Sequence, residues 1–409
     1  MKLNLIYTLT YSGSIEDHKD IGCLSRLEAE FRYFSDRFNL TIFSNDSNQF
    51  LEQYSSRING RFSNPIRFQG ISKKIYLLLK QSRFKIVRKL GSFIKLIEFW
   101  FLLPLFSVKF LKDADCILIK HPSSAIGLVL LKKIHNLKVK VVLRNNWGWS
   151  DFANRQDNII KGKIISFLEK IVLKSCDLIL VADQTLNIQV GNFLGEKENI
   201  KIIPNWVDTK LFIPKPENKK DFDIINIGRL TYQKNHVLLL NAVCKLQEKL
   251  KKEIRVLIIG KGELKEELER FSIDNKLNLK IIEKVNNEEL PNYLIRSYLF
   301  AMTSRFEGNP KALLEAMSCS VPVLATNISG INNIINDGVT GLLCKEDVDS
   351  ASQALMKLFS DVPLYNAIKE HSRDYILSYF SFDKIMDEIC NFIINHKNVL
   401  KHQIENTES

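Results

Sequence analysis

At 409 residues the chain is longer than one ordinary hydrophobic core requires, so the sequence predicts two domains. With 45% hydrophobic and 25% charged residues, its composition excludes an intrinsically disordered protein. The seven cysteines are scattered and never form a C-x-x-C pair, which argues against a disulfide framework or a zinc ribbon and favours a reducing compartment. Nearly all of the net charge of +12 lies in the basic stretch 57–95, so a whole-protein nucleic-acid-binding role is not indicated.

The first half alternates short β-rich segments with helical patterns, which is typical of a parallel α/β sheet. It begins with a predicted strand, because a short apolar run broken by Thr8 and Thr10 does not resemble a signal peptide. His121 directly follows a predicted strand and could donate a hydrogen bond to a substrate hydroxyl or phosphate; a structural histidine is the alternative. The predicted strands are 3–9, 40–44, 116–120, 140–144 and 178–182, with helices at 24–38 and 161–174.

Residues 73–110 predict a helix that lies on a membrane surface. Their apolar positions share one helical side and most basic positions the other, a pattern that binds anionic lipid. The apolar run 96–108 is short for a membrane span and contains Glu98 and Pro104, so a core helix is the alternative. The apolar positions are Ile75, Leu79, Ile86, Leu90, Phe93 and Ile97, and the basic ones are Lys74, Lys85, Arg88 and Lys89.

A break at residues 202–222 predicts the domain boundary, because three prolines and a polar charged run precede a new strand. The second half again alternates strands and helices. We therefore expect an α/β protein with two doubly wound, Rossmann-like domains that face each other across a cleft. The second-half strands are 222–228, 255–260, 279–283, 299–304 and 321–326, with helices at 236–250, 264–271 and 382–396. The predicted domains are 1–206 for the acceptor, 207–380 for the donor, a helix 381–400 that returns to the first domain, and a polar tail 401–409.

Two strand-to-helix loops of the second half suit a nucleotide. Arg229 follows Gly228 at a strand's end, and Lys234 stands just before the next helix. Two fixed cations at this position suit a diphosphate leaving group, with an ordinary solvated loop as the alternative. Gly260 and Gly262 lie in the next such turn, where they would let the backbone approach a nucleotide closely.

The most specific pattern follows the fourth predicted strand of the second half. Glu307 comes after that strand, Asn309 reads as an N-cap and Pro310 as the first turn of a helix. That helix, predicted at 311–318, contains Glu315. The N–H groups at its start suit a phosphate, and the two carboxylates could accept hydrogen bonds from sugar hydroxyls. An exposed loop glutamate and a helix-surface glutamate are the alternative.

The E-x7-E spacing of Glu307 and Glu315, followed by a V-P-V strand, resembles the donor-site signature of glycosyltransferase family 4, the retaining group 1 glycosyltransferases with the GT-B fold. Arg229 and Lys234 match the family's G-R-L…K arrangement. The resemblance implies that this cation pair stabilises a departing nucleotide diphosphate. It also implies that Glu307 orients the sugar and Glu315 the ribose. Further donor contacts are implied for Gly228, Gly260, Gly262, Gly308, Asn309, Pro310, Lys311, Ala312 and Leu313.

The resemblance is good over roughly residues 170–345 and poor over the first 150, as expected if acceptor binding diverges faster than donor binding. In the first domain it implies His121 as a catalytic residue and Gly13, in the loop after the first strand, as a donor-phosphate contact. Two departures stand out: Trp206 replaces a family glycine, and residues 329–333 lack a family glutamate. Neither contacts the reacting atoms in this scheme, so they predict altered specificity.

Two D-x-D pairs, 113/115 and 221/223, match the manganese motif of the other large glycosyltransferase fold. Both precede strands, whereas ligands of parallel sheets bind at the carboxyl ends. No other metal-ligand spacing is evident. The sequence therefore predicts neither a metal nor a cofactor, only a nucleotide-sugar co-substrate.

Together these features predict a metal-independent transferase that moves a hexose-type sugar, with retention, from a nucleotide-sugar, with UDP as the expected nucleotide. The expected acceptor is a glycan or glycolipid in cell-surface polysaccharide biosynthesis. The expected location is the cytoplasm, with peripheral attachment to the inner face of the cell membrane, and no nucleic-acid partner is expected. The alternatives are a sugar-nucleotide epimerase or hydrolase on the same fold, and a membrane- or polyanion-binding protein with a decayed site.

Overall fold

The computed structural model describes residues 2–8, 24–43, 55, 61–63, 103–120, 122–145, 159–195, 199–215 and 220–405. Contacts divide the chain into two units. Unit 1 comprises Met1–Ile203 and Glu388–Ser409, and unit 2 comprises Pro204–Asp387. Across the described residues, no helix combines the length and the apolar character needed to cross a membrane.

Unit 1 contains a seven-stranded sheet in the order β3-β2-β1-β4-β5-β6-β7, and every pair of neighbours is parallel. Its central strands are buried along their whole length, because helices cover a parallel sheet on both faces. The strands are β1 (Asn4–Thr8), β2 (Asn39–Phe43), β3 (Arg61–Ser63), β4 (Cys116–Ile119), β5 (Lys140–Asn145), β6 (Leu178–Val181) and β7 (Ile200–Ile202). The helices are α1 (Leu24–Arg37), α2 (Leu103–Lys112), α3 (Pro122–Ile134), α4 (Ile159–Ser175) and α5 (Gln184–Leu194).

Unit 2 contains a six-stranded parallel sheet in the order β10-β9-β8-β11-β12-β13. Its strands are β8 (Phe222–Ile227), β9 (Arg255–Ile259), β10 (Asn278–Ile282), β11 (Ser297–Met302), β12 (Val323–Thr326) and β13 (Leu342–Cys344). A 3₁₀ turn at Tyr232–Lys234 precedes α6 (His236–Leu250). The other helices are α7 (Lys265–Asp274), α8 (Leu290–Ile295), α9 (Lys311–Ser318), α10 (Val348–Ser360), α11 (Val362–Tyr379) and α12 (Phe382–Glu405).

Both sheets reverse their strand order at one point, between β1 and β4 in unit 1 and between β8 and β11 in unit 2. This is the doubly wound arrangement predicted from the sequence, and it confirms the fold class. In such sheets ligands bind outside the carboxyl ends of the two strands at the reversal. In unit 2 those ends lead directly into the loops that carry Arg229 and Glu307.

The two D-x-D pairs lie at the opposite, amino ends of the strands. The Asp115 carboxylate accepts a hydrogen bond from the backbone N–H of Asn4 at 2.8 Å. The Asp223 carboxylate accepts from both the backbone and the guanidinium of Arg255, which holds its pKa below the ordinary value although burial opposes this. Asp221 pairs with Arg296. Asp115, Asp221 and Asp223 therefore stabilise the starts of strands.

Candidate functional site

Lys234 and Glu307, which are 73 residues apart in the sequence, meet at the carboxyl ends of β8 and β11. Lys234 Nζ lies 2.5 Å from Glu307 Oε1, and the Ser304 hydroxyl donates to the same oxygen at 2.7 Å. Both side chains are largely shielded, with 15% of Lys234 and 8% of Glu307 exposed, so the pair is little screened by solvent. The aliphatic stem of Lys234 lies over Gly228, where a Cβ would approach it to 3.3 Å.

Gln233 fastens the two loops to each other. Its side-chain N–H donates to the backbone carbonyl of Phe306 at 2.9 Å, and its backbone carbonyl accepts from the backbone N–H of Arg305 at 2.8 Å. Its side-chain oxygen accepts from Arg229 Nη2 at 3.1 Å, so the exposed guanidinium of Arg229 is held beside the Lys234 ion pair. The site thus presents two cations at one sheet edge, which suits a diphosphate.

The loop that carries Arg229 and Lys234, here named the cation loop, packs so closely against Gly260 and Gly262 that both positions require glycine. A Cβ on Gly260 would lie 1.9 Å from the carbonyl oxygen of Gly228, and one on Gly262 would lie 2.2 Å from that of Leu230. Real side chains do not tolerate such distances. These glycines therefore bring the two predicted nucleotide loops into backbone contact.

Gly330 is likewise required by close packing, in this case against the loop that carries Glu307. It has a φ of +84°, and a Cβ there would lie 2.0 Å from the carbonyl oxygen of Gly308 and 2.5 Å from that of Glu307. This glycine lies in the segment 329–333 that departs from the family pattern. The backbone contact with the site is therefore present although the family's glutamate is absent from that segment.

The start of α9 differs from the prediction. The N-cap residue is Pro310, not Asn309, and it makes no side-chain capping hydrogen bond. The Asn309 side chain is turned away to accept from the backbone N–H of Asn205 at 3.2 Å, while Asn205 Nδ2 donates to the Asn309 carbonyl at 2.7 Å. The side chain of Asn309, which the sequence predicts as the N-cap of α9, is therefore hydrogen-bonded to Asn205 instead.

Along α9, Glu315 is buried and Lys311 is exposed. Leu313 is fully buried in the core of unit 2 and Ala312 is half-buried, so these two positions would reach a donor chiefly through their backbone. His236, next to the cation loop, is fully buried. Burial, together with the nearby Lys234, lowers its pKa to about 4, so it adds no positive charge at neutral pH.

The predicted first-domain site residues, Gly13 and His121, lie outside the described residues, as do most of the basic stretch 57–95 and of the segment 73–110. Immediately before His121, Lys120 donates to Glu30 at 2.5 Å.

Glu30 is the centre of a buried network at the carboxyl ends of β1, β4 and β5, which sequence reasoning missed. Tyr7 donates its hydroxyl proton to Glu30 at 2.7 Å, and Arg144 lies 3.6 Å from the other carboxylate oxygen. Burial alone would raise the pKa of Glu30, but Lys120 and Arg144 hold it well below its usual range. Burial also lowers the pKa of Lys120.

No group of three or more His, Cys, Asp or Glu side chains that could hold a metal ion occurs within the part of the chain that the structure describes.

Comparison with known proteins finds a family match within unit 2. Residues 207–375, which are less than half of the chain, match the model of the glycosyl transferases group 1. The match confirms the group 1 family and the glycosyltransferase class predicted from the sequence, whereas the assignment to family 4 stays a prediction.

Two curated relatives illustrate the similarity. The UDP-Gal:alpha-D-GlcNAc-diphosphoundecaprenol alpha-1,3-galactosyltransferase of Escherichia coli is 29% identical over 233 residues, which are 53% of this chain and 60% of that protein. The N-acetylgalactosamine-N,N'-diacetylbacillosaminyl-diphospho-undecaprenol 4-alpha-N-acetylgalactosaminyltransferase of Campylobacter jejuni is 26% identical over 296 residues, which are 69% of this chain and 78% of that protein. The similarity to the first thus spans less than two thirds of its length.

Solved structures resemble the whole chain at low identity. Sucrose-phosphate synthase from Thermosynechococcus elongatus has a TM-score of 0.70 at 14% identity and covers 99% of this chain and 100% of its own. Anabaena HepE in complex with UDP and glucose has a TM-score of 0.68 at 15% identity and covers 96% of this chain and 100% of its own. At such identity the likeness shows the fold alone, and it supports the GT-B fold predicted from the sequence.

Proposed function

We propose that this protein transfers a hexose-type sugar from a nucleotide-sugar to a lipid-linked glycan acceptor, and that the donor binds at the carboxyl ends of β8 and β11. The observation that carries the proposal is the cation pair of Arg229 and Lys234, held beside Glu307 at the order reversal of the unit 2 sheet. A diphosphate at this edge would meet both cations and the start of α9.

UDP is the proposed nucleotide. The relative from Escherichia coli is named for UDP-Gal, and HepE was solved with UDP and glucose.

The proposed acceptor is a sugar carried on a lipid diphosphate, because both reported relatives are named for diphosphoundecaprenol acceptors. We extend the proposal to cell-surface polysaccharide biosynthesis by a cytoplasmic enzyme at the inner face of the membrane.

In the proposed reaction the bond between the sugar's anomeric carbon and the diphosphate oxygen breaks, and its electron pair leaves with the diphosphate. The acceptor hydroxyl oxygen bonds to the same carbon and gives its proton to the departing diphosphate oxygen. Arg229 and Lys234 stabilise the charge that builds on the leaving oxygen. Glu307 orients the sugar through the oxygen that Lys234 does not hold, and Glu315 orients the ribose. The proposed outcome is retention, without a metal.

A thermal-shift panel of UDP-, GDP-, ADP- and CMP-sugars tests the donor proposal. A ligand that binds only the native state at 100 times its Kd stabilises it by about 2.7 kcal/mol. UDP-sugars should raise Tm for the native protein, and Arg229→Ala should shrink the shift. Lys249→Ala, which removes an exposed lysine of α6, is the matched control and should leave it unchanged. A shift with another nucleotide only would overturn UDP as the nucleotide.

Incubation of donor with and without a short-chain lipid-diphosphate sugar separates transfer from the rival activities. A transferase should consume the donor only when the acceptor is present. Conversion of the donor alone would favour the epimerase or hydrolase alternative, and the absence of any nucleotide-sugar binding would favour a decayed site.

A further inference from the structure

Three consecutive helices of unit 1 expose large apolar side chains. The connections β4–α3–β5, β5–α4–β6 and β6–α5–β7 join neighbouring parallel strands, so their right-handed crossovers put α3, α4 and α5 on one face of the sheet. α4 packs against both of the others. On these helices Ile134 is 73% exposed and Phe167 is 65% exposed, and Leu130, Ile164 and Ile188 are exposed as well.

The same helices expose positive charge alone. Within the three helices the sequence has six lysines and one carboxylate, Glu169. Glu169 is buried, whereas Lys133, Lys163, Lys170 and Lys174 are exposed. A water-facing helix ordinarily mixes both signs of charge, which makes an all-lysine face around exposed apolar groups unusual for a surface that contacts only solvent.

On α4 the two kinds of side chain share one helical face. Lys163, Ile164, Phe167, Lys170 and Lys174 follow the spacing of three or four residues that places side chains on one side of a helix. The opposite side is the one that packs inward, with Val172 and Leu173 buried in the core of unit 1. Long lysine side chains can bury their stems beside apolar groups while their ammonium heads remain hydrated.

Unit 2 provides a contrast. Its helix α7 also exposes an apolar residue, Ile273, of which 75% is accessible. That helix carries Glu266, Glu267 and Glu269, so its charge would be repelled by an anionic surface. Exposed apolar residues therefore occur in both units, but α7 does not combine them with a wholly basic face as α3 and α4 do.

We propose that the outward face of α3, α4 and α5, here named the lysine face, docks on an anionic lipid bilayer, with Ile164 and Phe167 inserted at the headgroup level. Charge complementarity selects this occupant, since an anionic leaflet attracts basic residues near it with a gain of roughly fivefold in binding for each. The lysine face is separate from the segment 73–110. The inference does not depend on the proposed reaction, and vesicle binding can be measured without turnover.

Co-sedimentation of the full-length protein with vesicles tests this docking. The wild type should bind vesicles of phosphatidylglycerol and phosphatidylcholine and bind pure phosphatidylcholine weakly. The triple variant Lys163→Gln, Lys170→Gln, Lys174→Gln should lose at least tenfold in affinity for the anionic vesicles. Ile164→Gln with Phe167→Gln should also weaken binding, and all variants should keep the wild-type Tm, because these side chains are exposed.

The matched control makes the same charge change in unit 2, at Lys249, Lys280 and Lys357, which are all exposed. Equal losses from both triple variants would mean that net charge and not the lysine face binds, which overturns the proposal. Unchanged binding by the lysine-face variants would overturn it too. If these variants instead alter the oligomeric state seen by light scattering while vesicle binding persists, the face contacts a second copy and the lipid proposal fails.

Discussion

Lys234 already has a carboxylate partner within the protein. The sequence predicts Lys234 and Glu307 as separate donor contacts, whereas the structure shows them as one shielded ion pair that Ser304 also contacts. A diphosphate at this position would therefore share the ammonium group with Glu307. The negative charge of Glu307 would then weaken the attraction of the lysine for the diphosphate. The ion pair also positions the lysine before the donor binds.

Lys234→Ala should lower kcat/KM by at least about tenfold, because a hydrogen bond to a charged group contributes roughly 1.5–3 kcal/mol and 1.4 kcal/mol is one decade. Charge builds on the leaving oxygen in the transition state, so kcat should fall more than donor affinity. Steady-state kinetics with saturating acceptor measure both. Lys249→Ala serves as the control and should retain wild-type rates. Full activity in Lys234→Ala would make this lysine a structural partner of Glu307 only.

The residues that sequence reasoning found are those whose chemistry is carried by a local motif. Gln233 stands next to Lys234 and Ser304 lies three positions before Glu307, but neither residue type is rare and neither forms a pattern by itself. Gln233 matters because it contacts Phe306, which is 73 residues away. Such a contact follows from the pairing of β8 with β11 and cannot be seen in local spacing.

At the level of elements, the longer strands were predictable and the shortest were not. β3, β7 and β13 have three residues each, too few for an alternating pattern to be distinguished from a loop. The start of α9 was misassigned for another reason. Asn309 has the composition of an N-cap, but a partner 104 residues away, Asn205, takes its side chain.

The Glu30 network joins α1 to the ends of three strands of unit 1 and yields a prediction about stability. Glu30→Gln keeps the side-chain shape but leaves the half-buried Lys120 and the buried Arg144 without their shared counter-charge. Breaking a buried ion pair in this way costs about 3–5 kcal/mol. Urea unfolding monitored by circular dichroism should show that loss.

Asp349→Asn provides a matched control, because Asp349 pairs with Lys245 on the surface of unit 2. An exposed pair of this kind is screened by solvent and contributes little to stability, so its loss should change the midpoint little. A similarly small effect of Glu30→Gln would show that the unit 1 network is not a structural anchor.

At the level of the whole molecule, similarity is unevenly distributed. The family model covers residues 207–375, which lie in unit 2, while the solved relatives match the chain almost throughout in fold. Unit 2 could be interpreted from its motifs, because the phosphate and ribose of the proposed donors are common to many nucleotide-sugars. For unit 1 the sequence offers no comparable signature, as expected if this unit binds the acceptor, since each acceptor demands a different surface.

Activity of the intact protein should survive saturating EDTA. Asp115, Asp221 and Asp223 of the D-x-D pairs are engaged at the amino ends of strands, and the carboxyl ends in unit 2 present cations that could neutralise the leaving diphosphate. A radiolabelled-sugar transfer assay with and without EDTA measures this. Loss of turnover on chelation and its recovery with Mn²⁺ would contradict the metal-independent scheme, and Asp113 and Asp221 would then need to be mutated.

Unit 1 is assembled from two stretches of chain with all of unit 2 between them. A ribosome that adds 5–20 residues per second needs roughly 10–40 s to make the intervening 180 or so residues. Throughout that time the nascent seven-stranded sheet lacks the helical segment whose Glu388 pairs with Lys201 of β7. Unit 2, which is continuous, can meanwhile fold as it emerges. The part of the protein that is translated first is therefore completed last.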